Sequence, residues 1–147
     1  MPSPITSNMV LAVVDIQGFT AACRNKTDSE TYEMLNLFYN HAASIIADAS
    51  GKVIKAIGDS ILMAFPESQA RQAVVSVENL KVSAQGLWSD FDATCVARIH
   101  AHFGPVASGH MGPDQRFDVI GKTVNDLFLM PWNGPEISSA LRKRIEG

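Results

Sequence analysis

Apolar positions along this chain switch repeatedly between the strand period and the helix period. Residues 9–16 form a short, continuous, valine-rich apolar run, which predicts a buried strand. Gly18 to Cys23 then reads as a turn leading into a short helix. Thr27 or Asp28 is placed to cap the next helix, with Glu30 as its first-turn acid. Leu35, Phe38, Tyr39, Ala42, Ile45, Ile46 and Ala49 recur at helical spacing, so that helix is expected to run to about Ser50 and to stop at Gly51 in a left-handed cap. Two strands follow over 52–57 and 61–65, with Gly58-Asp59-Ser60 as a tight hairpin turn between them. Residues 68–86 predict a further helix with Ala70, Ala73, Val74, Val77, Leu80 and Ala84 on one face and Gly86 at its end. A strand lies within 92–103, a Gly/Pro-punctuated hairpin over 104–118, and short helices over 123–130 and 137–145. The order strand, helix, strand, strand, helix, strand is the split βαβ plan of an α+β, ferredoxin-like domain (βαββαβ), with a trailing hairpin and C-terminal helices. No repeat, linker or low-complexity stretch interrupts it, so one domain accounts for residues 1–147.

Composition narrows the classes without choosing among them. A chain of 147 residues that is 46% hydrophobic and 18% charged suits one globular core. The formal net charge of -3 argues against a nucleic-acid surface, which is normally basic. Cys23 and Cys95 have no CxxC spacing and read as free thiols of a reducing cytoplasm. The apolar run before Asp15 is too short for a signal core and no window approaches a membrane span, so the expectation is a soluble cytoplasmic protein without a membrane partner.

Candidate chemistry concentrates in two carboxylates. Asp15, in Val13-Val14-Asp15-Ile16-Gln17-Gly18-Phe19-Thr20, and Asp59, in Lys55-Ala56-Ile57-Gly58-Asp59-Ser60, each end an apolar strand-like run beside a glycine turn. A carboxylate at a strand tip next to open backbone N–H groups can bind a hard cation and, through it, a phosphate. A pair on adjacent strands suits the two-metal clamp of in-line displacement at phosphorus. His100, His102 and His110 lie around a strand and hairpin with no carboxylate or cysteine at ligand spacing, and are read as structural or surface residues.

Three blocks resemble the class III nucleotidyl cyclase catalytic domain, the adenylate/guanylate cyclase family, in the family's order. They are Val14-Asp15-Ile16-Gln17-Gly18-Phe19-Thr20, the run Gly51 to Phe65 around Gly58-Asp59-Ser60, and His102 to Gly109 continuing to Arg116-Phe117-Asp118-Val119-Ile120-Gly121-Lys122-Thr123-Val124-Asn125. The resemblance implies that Asp15, Asp59 and the backbone of Ile16 hold two Mg²⁺ or Mn²⁺ ions. It implies that the turn Ile16–Thr20, with Gly18, Phe19 and Thr20, cradles the phosphates. Lys55 and Asp118 would read the base, and Asn125 would orient the ribose. The chemistry of that pair suits adenine, whose N1 accepts and whose N6 amino group donates; guanine reverses both. ATP is therefore the expected substrate, and cyclic AMP and pyrophosphate the products. In the family the metal aspartates come from one chain and the base-reading residues from another, which implies a head-to-tail homodimer with two equivalent sites. On the residues alone, Lys55 also reads as a strand-edge lysine and Asp118 as a hairpin partner of Arg116.

The likeness breaks in two places. Four residues after Asn125 the family has an arginine that stabilises charge on the transferring phosphate; here it is Leu129. Losing one such donor costs roughly 10²–10³ in rate, which predicts a slow enzyme favouring Mn²⁺ or, as the rival reading, a nucleotide-binding or dimerising module without catalysis. The pattern's later strand pair, with its phosphate-binding lysine, has no counterpart in these residues. Arg142, Lys143 and Arg144 read as solvated charges complementing a helix C-terminus.

Overall fold

A computed structural model describes residues 3–147. One five-stranded antiparallel sheet has the order β2-β3-β1-β4-β5, with β1 at Ile5–Gln17, β2 at Lys52–Ile57, β3 at Ser60–Pro66, β4 at Val96–Met111 and β5 at Arg116–Ile120. The helices are α1 (Phe19–Cys23), α2 (Asp28–Ile46), α3 (Ala70–Phe91), α4 (Lys122–Leu129) and α5 (Ser139–Glu146). The βαββαβ order expected from the hydrophobic pattern is present, and β1 is the central strand.

Alternation along β1 divides the core into two layers. Val10, Ala12, Val14 and Ile16 face α2, α3 and α5, where Phe38, Leu80, Trp88 and Leu141 are buried against them. Leu11 and Val13 face the other way, with Leu62, Ala64, Val106 and Val119, and Leu127 of α4 closes over them. Asp15 falls on this second face. Trp88 anchors the thicker layer, making edge contacts with Phe19, Phe38 and Phe91.

Several boundaries depart from the sequence expectation. Strand β1 begins at Ile5 rather than Met9, because Ile5 to Asn8 pair with Ser108 to Pro105 of the long β4. Helix α3 runs through Gly86 to Phe91. A Cβ at Gly86 would meet nothing, so the glycine sits on the solvent side while Leu87, Trp88 and Phe91 continue the buried stripe. Packing of that stripe outweighs the ~1 kcal/mol intrinsic penalty of one helical glycine. Strand β4 likewise continues through Gly104-Pro105, and the turn comes only at 112–115, with Gly112 and Gln115 at positive φ. Pro105 is tolerated because β5 pairs β4 only from Ala107 onward, and its carbonyl accepts from Thr123 Oγ1. Helix α4 starts one residue earlier and ends one earlier than expected, and α5 starts after the Ser138 cap. Thr27 is the cap of α2, in a reciprocal box with Glu30.

The α2 exit is also different. The helix ends at Ile46, a single 3₁₀ turn follows, and Ser50 rather than Gly51 takes the left-handed conformation, at φ 58°. Gly51 is needed for space: a Cβ there would lie 2.5 Å from the Phe65 ring and 2.8 Å from the Ile46 carbonyl oxygen. Gly51→Ala is therefore expected to destabilise the fold by about 1–3 kcal/mol, the usual range for overpacking. Urea titration should show a lowered midpoint at unchanged slope, whereas a midpoint within error of wild type would contradict the packing role.

Candidate active site

At the C-terminal end of β1 the chain must leave the sheet, and Gly18 makes the turn at φ +88°. Its missing Cβ matters twice: the conformation is left-handed, and an added carbon would crowd the Thr94 carbonyl at 3.3 Å. One strand over, Gly58 (φ +57°) turns β2 into β3 and presents Asp59 toward the same point. The Tyr39 hydroxyl, from α2, donates to the Gly58 carbonyl and pins that turn.

The two carboxylates meet on one backbone amide. Ile16 N–H donates to Asp15 Oδ1 at 2.9 Å and to Asp59 Oδ2 at 3.1 Å. Burial raises the Asp59 carboxyl, and a hydrogen bond with Asp15 raises it further, to about 6. Burial also opposes ionisation of Asp15, but the hydrogen bond with Asp59 and the Arg98 guanidinium outweigh it, so Asp15 titrates below its ordinary range. At and below about pH 6 a single proton can bridge this oxygen-rich pair, and a hard divalent cation would take that place instead. Among the described residues no cluster of three or more His, Cys, Asp or Glu side chains forms. A cation here would complete its shell with backbone and substrate oxygens, as Mg²⁺ commonly does.

The pair opens onto a cavity of about 410 Å³ lined by the turn Gln17–Ala21, Arg24, Asp59 and Arg98. A second cavity, of about 420 Å³, lies by the start of β1 and the β4–β5 hairpin, but its wall is mostly apolar and holds neither carboxylate. The chemistry therefore belongs to the first. Thr20 is exposed at its rim, whereas the Phe19 ring is an anchor against Trp88, leaving its main chain to face the cavity.

Arg98 is the residue that sequence reasoning missed. It stands opposite Asp15 in the β1–β4 register and its guanidinium reaches Asp15 Oδ2 at 2.5 Å. Trp132 covers its other side, with the guanidinium carbon 4.3 Å from the ring centroid. Trp132 stacks in turn on the buried His100, centroids 4.0 Å apart. The available signal was a lone arginine alternating with apolar residues in Ala97-Arg98-Ile99, opposite a strand already assigned a carboxylate. The other histidines have structural partners: His102 bonds Ser138, and His110 packs its edge against Phe117.

Burial holds His100 neutral, placing its pKa below the ordinary 6.5. The unfolded chain then binds the extra proton first, so this contribution is complete above about pH 6.5 and falls as the pH drops. His100→Phe keeps a stacking ring but removes the titration. Relative to that variant, wild type should lose up to about 1.4 kcal/mol per pH unit below 6.5. Asp59 titrates in both proteins and drops out of the comparison; parallel stability profiles between pH 7 and 5 would refute the assignment.

Lys55 and Asp118 are brought together, though they lie on the two edge strands. Lys55 Nζ is 3.3 Å from Asp118 Oδ2, and Lys52 lies over the Phe117 ring at 5.8 Å. The sheet must curl for its edges to meet, and the irregularity in β2 between Val53 and Lys55 contributes to that bend. Arg116, the alternative partner for Asp118, pairs with Asp114 instead. Asn125 and Leu129 are one turn apart on the exposed face of α4, outside the carboxylate cavity of their own chain. Leu129 is 78% exposed. Arg144 is held by Glu67, beyond the opposite end of β3, and Arg142 bonds the Ile137 carbonyl, so neither reaches the cavity.

Comparison with known proteins identifies the family and the fold. The family model for the adenylate and guanylate cyclase catalytic domain matches residues 1–134. The β subunit of a photoactivated adenylate cyclase from Euglena gracilis is 31% identical over 77 residues, covering 52% of this chain and 9% of the relative. Human guanylyl cyclase C is 26% identical over 129 residues, covering 82% of this chain and 12% of the relative. The chain thus spans about a tenth of these curated relatives. Two solved structures share the fold at a TM-score of 0.85: the adenylyl cyclase CyaB from P. aeruginosa (20% identity, 99% of this chain and 83% of that one) and the guanylyl cyclase Cya2 (19% identity, 97% and 80%). Among the described residues no helix is long and apolar enough to cross a membrane. With its sheet order, carboxylate pair and three sequence blocks, the chain belongs to the adenylate and guanylate cyclase catalytic domain family.

Proposed function

We propose that the protein is an adenylate cyclase, converting ATP to cyclic AMP and pyrophosphate at the interface of a head-to-tail homodimer. The observation that carries the choice of ATP is the Lys55–Asp118 pair, a donor and an acceptor held side by side at 3.3 Å. Adenine N1 and N6 match them; guanine would set donor against donor and acceptor against acceptor. Relatives of both nucleotide specificities belong to the family, so this pair is the discriminating feature of the chain itself.

Asp15 and Asp59, with the backbone at Ile16, would hold Mg²⁺ or Mn²⁺, two ions per site. Bound there, the ions would activate the ribose 3′-hydroxyl and neutralise the triphosphate. The protein's own contribution is positional. Tyr39 and Gly58 fix the turn that aims Asp59, and Gly18 brings the main chain of Phe19 and Thr20 to the cavity, where backbone N–H groups can face phosphate oxygens. Arg98 keeps Asp15 ionised and adds a cation to the same wall. Asn125, exposed on α4, is available to a nucleotide held by the partner chain.

A second reading has its own observation. Leu129 replaces the family arginine on the open face of α4, which favours a catalytically impaired homologue that binds nucleotide or dimerises. Incubation of purified protein with ATP or GTP and Mn²⁺, with products separated by chromatography, decides between them. Cyclic AMP from ATP alone is the expected result. ATP binding without product would establish the second reading.

A further inference from the structure

We propose that Arg24 binds the outer phosphates of the triphosphate and supplies positive charge to them from the wall of the carboxylate cavity. The inference rests on the nucleotide-triphosphate reading above and adds a residue to it.

Arg24 closes α1 immediately after the Gly18 turn, and it lines the same cavity as Asp15, Asp59 and Arg98. The two arginines differ in how they are held. Arg98 is fixed between Asp15 and Trp132, so much of its charge is answered by a carboxylate. Arg24 is exposed and, among the described residues, makes no ion pair and no side-chain hydrogen bond. Its backbone is anchored by a hydrogen bond from its N–H to the Ala21 carbonyl, and its exposed side chain stands on the cavity wall.

Elimination points the same way. Arg144 is paired with Glu67, Arg116 with Asp114, and Arg142 with a backbone carbonyl. Arg71 lines a different cavity, on the outer side of α3. Arg24 is thus the guanidinium that is both at the site and uncommitted among the described residues. A planar guanidinium offers two parallel N–H donors to adjacent phosphate oxygens, a geometry that suits the charged tail of a nucleotide rather than its base. Two carboxylates and one ion-paired arginine leave the metal-free cavity short of positive charge for a polyanion, and Arg24 shifts that balance.

Inorganic tripolyphosphate is the probe, titrated calorimetrically into wild type, Arg24→Ala, Arg24→Lys and Asp15→Asn with saturating Mn²⁺, so that no turnover is needed. Arg24→Ala is expected to weaken binding by about tenfold or more while leaving Mn²⁺ affinity unchanged, with Arg24→Lys in between. Equal tripolyphosphate affinities for wild type and Arg24→Ala would overturn the role of Arg24, and the cyclase reading would stand on the Asp15→Asn loss. Folded wild type that binds Mn²⁺ but not tripolyphosphate would overturn both.

Discussion

Asp15→Asn is expected to reduce cyclic nucleotide formation by roughly 10³ or more, the scale on which preorganised charge at a reacting phosphate acts. The substitution keeps the shape and one acceptor but removes the negative charge on which the carboxylate pair depends. Its consequences for the rest of the site are specific. Arg98 would lose the carboxylate it contacts at 2.5 Å, and Asp59 would lose a neighbour that helps raise it to about 6. Asp59 should therefore titrate closer to its ordinary value, which carboxyl-selective NMR would register independently of turnover. Circular dichroism should remain that of the wild type, because the apolar face of β1, from Val10 to Ile16, is untouched. Full turnover by a folded Asp15→Asn protein would end the metal-pair assignment and with it the cyclase reading.

If Lys55 and Asp118 read the base as proposed, exchanging them should turn the nucleotide preference around. In the double variant Lys55→Glu, Asp118→Lys the ion pair is retained in reverse, so the curled edge of the sheet keeps its closure between β2 and β5. The glutamate then accepts from guanine N1 and the lysine donates to O6. Each mismatch in the wild type leaves a polar group unpaired at a cost of about 1–3 kcal/mol. Two of them correspond to a change in the GTP-to-ATP ratio of kcat/KM on the order of a hundredfold or more. The two single variants should lose activity toward both bases, since each leaves two acceptors or two donors side by side. If the double variant retained the wild-type ratio, the pair would be an edge-closing salt bridge and nothing more. At 3.3 Å and partly exposed, that salt bridge alone is worth little to stability.

Hydrophobic periodicity carried most of the architecture, because β1, β3 and α2 are each buried on a face that only one period can satisfy. It misjudged the ends. Gly86 and Gly104-Pro105 read as stops, yet α3 and β4 pass through them, since Trp88 and Phe91 on one side and the partner strand β1 on the other reward continuation. Gly51 reads as a cap, yet its reason is the ring of Phe65, a residue fourteen positions away in the chain that local pattern cannot place. The catalytic candidates Asp15 and Asp59 were visible because each carries its own local turn. Arg98 and Arg24 were not, because nothing near them in the chain says that they share a cavity.

What the sequence by itself determined is the alternation that builds the sheet and its two helical layers, the glycine turns at Gly18 and Gly58, and the residue types able to bind metal and base. These depend on backbone sterics and on burial of one face, both local properties. Only the tertiary structure decided that Asp15 and Asp59 share the Ile16 amide, that Arg98 and Trp132 stand behind them, and that Lys55 meets Asp118 across a curled sheet. Those facts depend on distances between residues remote in sequence, which the register and twist of the strands set and no local pattern encodes.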